Sequence, residues 1–122
     1  MGIKLMKQLP HLQLRVRLSP ASVFGPGKAD LLENIAADGS ISAAARRMRM
    51  SYKRAWQLVD DMNRAFRAPL VTTSAGGTQG GGAAVTANGK RVLACYRTLQ
   101  RNAESAARRE LAALARLGAK TR

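Results

Sequence analysis

Hydrophobic and polar residues alternate strictly near the N-terminus. Between residues 12 and 18, leucine or valine stands at every even position, and glutamine or arginine stands at every odd one. A period of two is typical of a β-strand with one buried face, so a strand is predicted over residues 12–18. The next residues, 19–27, contain two prolines and two glycines, which predicts a loop.

The pattern changes to a helical period over residues 28–67, where we predict three helices. The first runs from Lys28 to Asp38 and ends at Gly39, because glycine favours helix termination. Its predicted buried face consists of Ala29, Leu32, Ile35 and Ala36. Ser42 is the predicted cap of a short second helix that continues to Met48.

The third helix is the most regular. Ser51 is its predicted cap, and it extends to about Arg67, close to the helix-ending Pro69. Arg49 and Met50 form the predicted turn before it. Apolar residues at helical spacing predict its buried face: Ala55, Leu58, Met62 and Phe66.

The remaining pattern predicts a hairpin and a long helix. Residues 70–86 form the hairpin, or wing, whose two short strands, residues 70–74 and 83–86, flank a glycine-rich tip. The long helix covers residues 87–117, with an apolar stripe that slips slightly after its middle: Val92, Tyr96, Leu99, Ala103, Ala106, Leu111 and Leu114. The predicted fold class is therefore mainly α with a small β component, as one winged helix-turn-helix domain over residues 1–122.

Charge narrows the choice of partner. The 122 residues include 21 Lys and Arg against 7 Asp and Glu, a net charge of +14. Such an excess indicates a polyanion: DNA, RNA or an anionic membrane. No apolar run approaches the roughly 18 residues of a membrane span, so none is predicted. The single cysteine, Cys95, is predicted to be buried and fits a reducing, cytoplasmic setting.

Residues 41–60 have the composition of a helix-turn-helix. Ala44 and Ala45 are small enough for two helices to cross closely, and methionines bracket the turn. Arg49 stands where a turn glycine is common. The alternative interpretation is an ordinary helical hairpin within an all-α core.

The exposed side of the third helix carries the predicted DNA contacts. Lys53, Arg54 and Gln57 are predicted to reach base edges in the major groove, where Arg and Lys read guanine and Gln reads adenine. Ser51 and Tyr52 are predicted to bond phosphates. The complete predicted DNA-binding set, including phosphate-holding arginines and the uncharged wing tip, is Ser42, Arg46, Arg47, Arg49, Ser51, Tyr52, Lys53, Arg54, Gln57, Gly77, Thr78, Gln79 and Gly80.

No enzyme activity, cofactor or metal site is predicted. His11 is the only histidine, and no other metal-binding residue type stands close to it in the sequence. Asp60 and Asp61 are adjacent, so on a helix they point in different directions and do not form a catalytic pair. Trp56 is predicted to pack against the protein rather than stack on a base.

Several runs together carry a family resemblance: Gly39-Ser-Ile-Ser42, Ser51-Tyr-Lys-Arg-Ala-Trp56, Asp61-Met-Asn63 and Gly80-Gly-Gly-Ala-Ala-Val-Thr86, with Gly89. They resemble the N-terminal domain of the ModE family of molybdate-responsive transcription regulators, which is also similar to the DNA-binding domain of LysR-type regulators. The resemblance extends from about Leu12 to Leu99. It implies a winged helix that dimerises and binds a palindromic operator.

Two departures limit what the resemblance implies. We expect the family's C-terminal molybdate-binding region to be absent from a chain that ends at Arg122, and molybdate sensing with it. Gln79 stands where the family's wing often carries a lysine.

The predicted protein is a sequence-specific regulator of double-stranded DNA that forms a homodimer through residues 87–117. Two alternatives stay open: a non-specific nucleoid or RNA-binding protein, and an adaptor whose long helix recruits a separate sensor protein.

Overall fold

Two antiparallel strand pairs and five helices make up the part of the chain that the computed structural model describes, residues 9–74 and 82–118. In chain order the elements are β1 (Val16–Ser19), β2 (Ser22–Phe24), α1 (Pro26–Asp38), α2 (Ile41–Arg47), α3 (Tyr52–Ala65), β3 (Val71–Ser74), β4 (Gly82–Val85), α4 (Ala87–Ala106) and α5 (Arg108–Leu117). This order is that of a winged helix-turn-helix, with β3 and β4 as the wing strands and α2 and α3 as the paired helices.

The N-terminal strand is shorter than predicted. It begins at Val16 rather than at residue 12, and it pairs with β2, which lies inside the predicted loop 19–27. Val16 stands opposite Phe24 in this antiparallel ladder. The loop prediction was wrong for β2 because a strand of three residues is too short to show a period.

The residues before β1 are held by α4 rather than by a strand partner. The hydroxyl of Tyr96 donates a hydrogen bond to the carbonyl of Leu14, and the amide of Leu12 donates to the carboxylate of Glu104 at 3.2 Å. Leu12 and Leu14 are half-buried. The alternating pattern therefore predicted the partial burial of Leu12, Leu14 and Val16 correctly, whereas Leu18 is exposed and the first residues of the segment form no strand.

Helix α1 lies at the centre of the core. It starts at Pro26, two residues earlier than predicted. Proline is favoured in the first turn of a helix because N–H groups there have no partner within the helix, so the N–H that proline lacks is not missed. It ends at Asp38, and Gly39 adopts a left-handed backbone with φ 72°, as a terminating glycine does. Leu31 is fully buried, whereas Ala36, predicted to be buried, is exposed.

The cap of α2 differs from the prediction. The side chain of Ser40 accepts a hydrogen bond from the amide of Ala43, which makes Ser40 the cap. Ser42 lies inside the helix, is exposed, and accepts a bond from the Arg46 guanidinium at 3.0 Å. Ser40 and Ser42 are both of a residue type that caps helices, and Ser40 is the cap because α2 begins at Ile41.

Helix α3 agrees closely with the prediction. The Ser51 side chain accepts a hydrogen bond from the Arg54 amide, which caps the helix. Its buried residues are Ala55, Leu58, Val59 and Met62. Phe66, just past the end of the helix, is half-buried and packs edge-on against Phe24 with ring centroids 6.1 Å apart.

The wing strands are joined to the helices by polar contacts. The Asn63 side chain accepts hydrogen bonds from the amides of Leu70 and Val71 and donates to the Val71 carbonyl, at 2.8 to 3.1 Å. On the other strand, the Ala83 amide donates to the Gly39 carbonyl at 2.9 Å. Both strands are therefore fixed in place by α3 and by the end of α1.

The long helix starts at Ala87 as predicted but is divided at Ala107 into α4 and α5. The break falls near the predicted slip in the apolar stripe, and backbone hydrogen bonds continue across it, from Ala107 to Ala103 and from Leu111 to Ala107. Cys95, predicted to be buried, is exposed. Among the described residues, no helix combines the length and the apolarity needed to span a membrane.

Helix α4 contacts β2 through one aromatic residue and α1 through one charged residue. The Tyr96 ring meets Phe24 edge-on at 5.1 Å, and burial raises the pKa of its hydroxyl. Arg97 is 22% exposed and places one guanidinium nitrogen 2.8 Å from both Asp30 and Glu33. Burial opposes its charge, but the bonds to the two carboxylates outweigh burial and raise the pKa of Arg97.

Candidate nucleic-acid interface

The turn between α2 and α3 contains the unusual backbone of this region. Arg49 adopts a left-handed conformation with φ 58°, which glycine occupies with less strain. The amide of Met50 donates to the Ala45 carbonyl at 3.0 Å and closes the turn. The exposed Arg49 therefore takes the conformation that the missing turn glycine would supply.

The N-terminal half of α3 presents polar residues away from the core. Successive residues turn by about 100° around a helix, so Lys53 and Gln57 lie almost opposite the buried face. Both are exposed. They are the two predicted base-reading residues that the structure places at the outermost part of the helix.

Arg54 lies on one flank of α3 rather than at its outermost part. It lines a groove of about 540 Å³ that α3 forms with the segment before β1, with β2 and with the start of α1, and Arg15, Lys28 and Asp61 line the same groove. The Lys28 ammonium is held by a hydrogen bond to a backbone carbonyl at 2.8 Å. The groove therefore brings three cations and one carboxylate to one flank of α3.

Neither Arg15 nor Lys28 belonged to the predicted DNA-binding set. Arg15 is exposed, as its odd position in the alternating segment 12–18 implies. The odd position of Arg15 could have indicated its exposure, but its place in the same groove as Arg54 depends on how the N-terminal segment packs.

Tyr52 and Trp56 occupy the opposite flank of α3. Their rings meet edge-on, with centroids 6.3 Å apart and planes at 79°. Tyr52 is 54% exposed and Trp56 is 37% exposed. Trp56 therefore packs against the protein, as predicted, but its contact is the surface residue Tyr52 and part of its ring stays exposed.

The arginines of α2 are engaged to different degrees. The Arg47 guanidinium forms two hydrogen bonds with the Asp38 carboxylate, at 2.8 and 3.0 Å. These bonds lower the pKa of Asp38 and raise the pKa of Arg47. A phosphate at Arg47 would compete with Asp38, whereas Arg46 bonds to the neutral Ser42 hydroxyl. The phosphate contacts predicted for Arg46, Arg47 and Arg49 stay predictions.

The wing tip residues of the predicted set, Gly77, Thr78, Gln79 and Gly80, lie outside the described residues. Their roles stay predictions. Within residues 9–74 and 82–118, no three His, Cys, Asp or Glu side chains gather into a group that could hold a metal ion.

The chain belongs to the lysR family of bacterial regulatory helix-turn-helix proteins, whose model matches residues 28–90. The match starts in α1 and ends in the first turn of α4, so it includes the helix-turn-helix and the wing strands.

Among characterised proteins, the chain is similar to ModE-type proteins. It is 47% identical over 76 residues to the molybdenum transport protein ModE of Azotobacter vinelandii, covering 62% of this chain and 28% of that protein. It is 45% identical over 77 residues to the molybdenum-pterin-binding protein MopB of Rhodobacter capsulatus, covering 63% and 28%. It is 38% identical over 96 residues to the transcriptional regulator ModE of Haemophilus influenzae, covering 79% and 38%. The matched part thus spans between 28% and 38% of these relatives, and the resemblance to ModE is confirmed for that part.

Proposed function

We propose that the protein is a dimeric, sequence-specific transcriptional regulator that inserts α3 into the major groove of DNA. The observation that carries the proposal is the exposed, basic N-terminal half of α3, set in a helix-turn-helix that belongs to a family of regulators. Recognition helices of this kind contact base edges with their early residues.

The position of each side chain suggests its role. Lys53 and Gln57 lie outermost and are assigned to base edges, where Lys favours guanine and Gln favours adenine. Arg54 shares its groove with Arg15 and Lys28, and this cationic flank is assigned to a backbone phosphate beside the reading site. Arg54 was predicted to read a base, and its lateral position favours the phosphate role instead.

The dimer contact with a second copy of this chain is assigned to the apolar surface of α4 and α5. Leu99 is 42% exposed, Leu114 63% and Leu117 82%, and α5 buries none of its residues. Apolar side chains at helical spacing on an uncovered helix are suited to a self-complementary, two-fold contact. Such a dimer would present two recognition helices to half-sites one duplex turn, roughly 34 Å, or a multiple of it apart.

The class of target genes is proposed from the relatives. Two of them are named for molybdenum transport or for binding molybdenum-pterin. We extend this to genes of molybdenum uptake or use, and we assign no molybdate site to the residues described here.

Selection from a pool of random duplex DNA tests the proposal. A palindromic consensus is expected, together with a dimer in analytical ultracentrifugation. Lys53→Ala should lose affinity for the selected duplex, whereas Arg116→Ala, an exposed charge on α5, should retain it. Repeating the selection with molybdate should give the same consensus and affinity. A pool without enrichment would refute the proposal.

A second candidate function is non-specific binding of DNA or RNA, which the net charge of +14 favours. It predicts tight binding that falls steeply with salt and is equal for the selected duplex, random duplexes and RNA. The same selection separates the two candidates, because only the regulator enriches a sequence.

A further inference from the structure

The first two turns of α3 carry two exposed aromatic side chains, Tyr52 and Trp56, which we call the aromatic pair. They stand four residues apart, so their rings lie on one side of the helix. Lys53 and Gln57 are their immediate neighbours and face outwards between the two flanks of the helix. The aromatic pair is therefore part of the reading end of α3 and not of the core.

The pair is presented in a fixed arrangement. The rings contact each other edge-on at 79°, a favourable geometry for aromatic side chains. Aromatic side chains have two rotatable bonds, so little freedom is lost when they bind a partner. Roughly half of Tyr52 and a third of Trp56 remain open to solvent, at 54% and 37%. This leaves an apolar contact surface that the folded chain does not cover.

The chemistry of the major groove limits what can cover it. Base edges there present hydrogen-bond donors and acceptors, and the one apolar group among them is the 5-methyl of thymine. Lys53 beside the pair, and Arg54 on the opposite flank of the same helix, match a polyanionic surface and disfavour an apolar protein partner. We infer that the aromatic pair is a specificity-determining contact that recognises thymine through its methyl group.

The inference rests on the proposed function, since it requires α3 to lie in the major groove. It also replaces the role predicted for Tyr52, whose hydroxyl was assigned to a phosphate. The two roles differ in the atom that matters: the methyl contact needs the ring, and the phosphate contact needs the hydroxyl.

The experiment measures the affinity of the full chain for the selected duplex by fluorescence anisotropy, replacing each thymine in turn by deoxyuridine. Deoxyuridine keeps base pairing and removes only the methyl group. At one symmetric position of the consensus the change should weaken binding about 4-fold per half-site, from about 0.8 kcal/mol per buried carbon. Thymines outside the consensus serve as controls.

Protein variants then connect the methyl effect to the rings. With Trp56→Ala or Tyr52→Ala, the penalty for deoxyuridine should fall to about 1-fold, and with Tyr52→Phe it should persist in full. Lys53→Ala is the matched control, because it weakens binding but should keep the penalty. Circular dichroism confirms that each variant folds.

The outcomes separate the two proposals. A selection without any consensus refutes the regulator, and this inference with it. A consensus that contains no thymine, or a penalty unchanged in both alanine variants, overturns the inference alone. Equal losses for Tyr52→Phe and Tyr52→Ala would return Tyr52 to a hydroxyl role and also overturn it.

Discussion

Replacing Arg97 by methionine removes the guanidinium that joins α4 to α1 while keeping a side chain of similar length. The guanidinium donates two hydrogen bonds to Glu33, at 2.8 and 3.1 Å, and one to Asp30 at 2.8 Å. A fourth bond goes to the side chain of Gln100 at 2.9 Å. We expect Arg97→Met to destabilise the fold more than any other single change of an arginine in α4.

The expected loss of stability depends on how well water can replace the guanidinium at each of its former partners. The side chains of Asp30 and Glu33 are 38% and 34% exposed, so water can replace much of what they lose. Gln100 is 7% exposed and loses a donor that water replaces poorly. With screening at the two carboxylates, a loss of about 2–3 kcal/mol is expected. At about 2.1 cal/mol/K of unfolding entropy per residue, this lowers the Tm by roughly 8–12 °C.

The assay is thermal unfolding followed by circular dichroism at one fixed protein concentration, because the proposed dimer would couple stability to concentration. Arg101→Met is the control, since Arg101 is exposed and donates to the Thr98 hydroxyl. It should shift the Tm by no more than about 2 °C. A double-mutant cycle with Glu33→Gln should show a coupling of about 1 kcal/mol. Equal shifts for the two arginine variants would refute the structural role of the guanidinium.

Three further changes test other contacts. Gly89→Ala should lower the free energy of unfolding, measured by urea denaturation, by about 1–3 kcal/mol, because its Cβ would overlap the Leu70 carbonyl oxygen. Gly27→Ala is the control: its Cβ meets nothing within 4 Å, so the free energy of unfolding should not fall. Asn63→Ala should cost about 2–3 kcal/mol in the same assay and speed amide exchange in β3, since it removes three hydrogen bonds to buried backbone; unchanged exchange would contradict this. The hydrogen bonds from the Arg47 guanidinium favour the carboxylate of Asp38 and hold its pKa below the ordinary 3.8. The contribution of this pair to stability is therefore present above pH 3.8 and is lost as the pH falls through the lowered pKa. Asp38→Asn should therefore show a smaller loss of stability between about pH 5 and pH 2, and a loss equal to that of the unmodified chain would count against the pair.

Local signals predicted the helix-turn-helix well. Ser51, Gly39 and the spacing of the α3 core residues each act within one or two turns, so the sequence alone carries their effect. The wing strands were predicted within one residue at each end for the same reason.

Contacts between distant parts of the chain explain most of what the sequence did not predict. Arg97 meets its two carboxylates across 64 and 67 residues, and no local pattern distinguishes it from the exposed arginines of the same helix. The groove around Arg54 likewise depends on β2, whose three residues show no period. The exposed aromatic pair was assigned to packing and to phosphate because residue type alone does not show which flank of α3 is covered.

Helix α1 and the glycine that ends it form polar bonds with three other elements. They hold α4 through Arg97, the C-terminal end of α2 through Asp38, and the wing strand β4 through the Gly39 carbonyl that accepts from Ala83. Within the described residues, these links join the long helix to α2 and to the wing strand through α1. In the proposed dimer, a torque applied to α4 should therefore turn the domain as a rigid body, and control would act on the separation of the two copies of α3 rather than on the shape of either one.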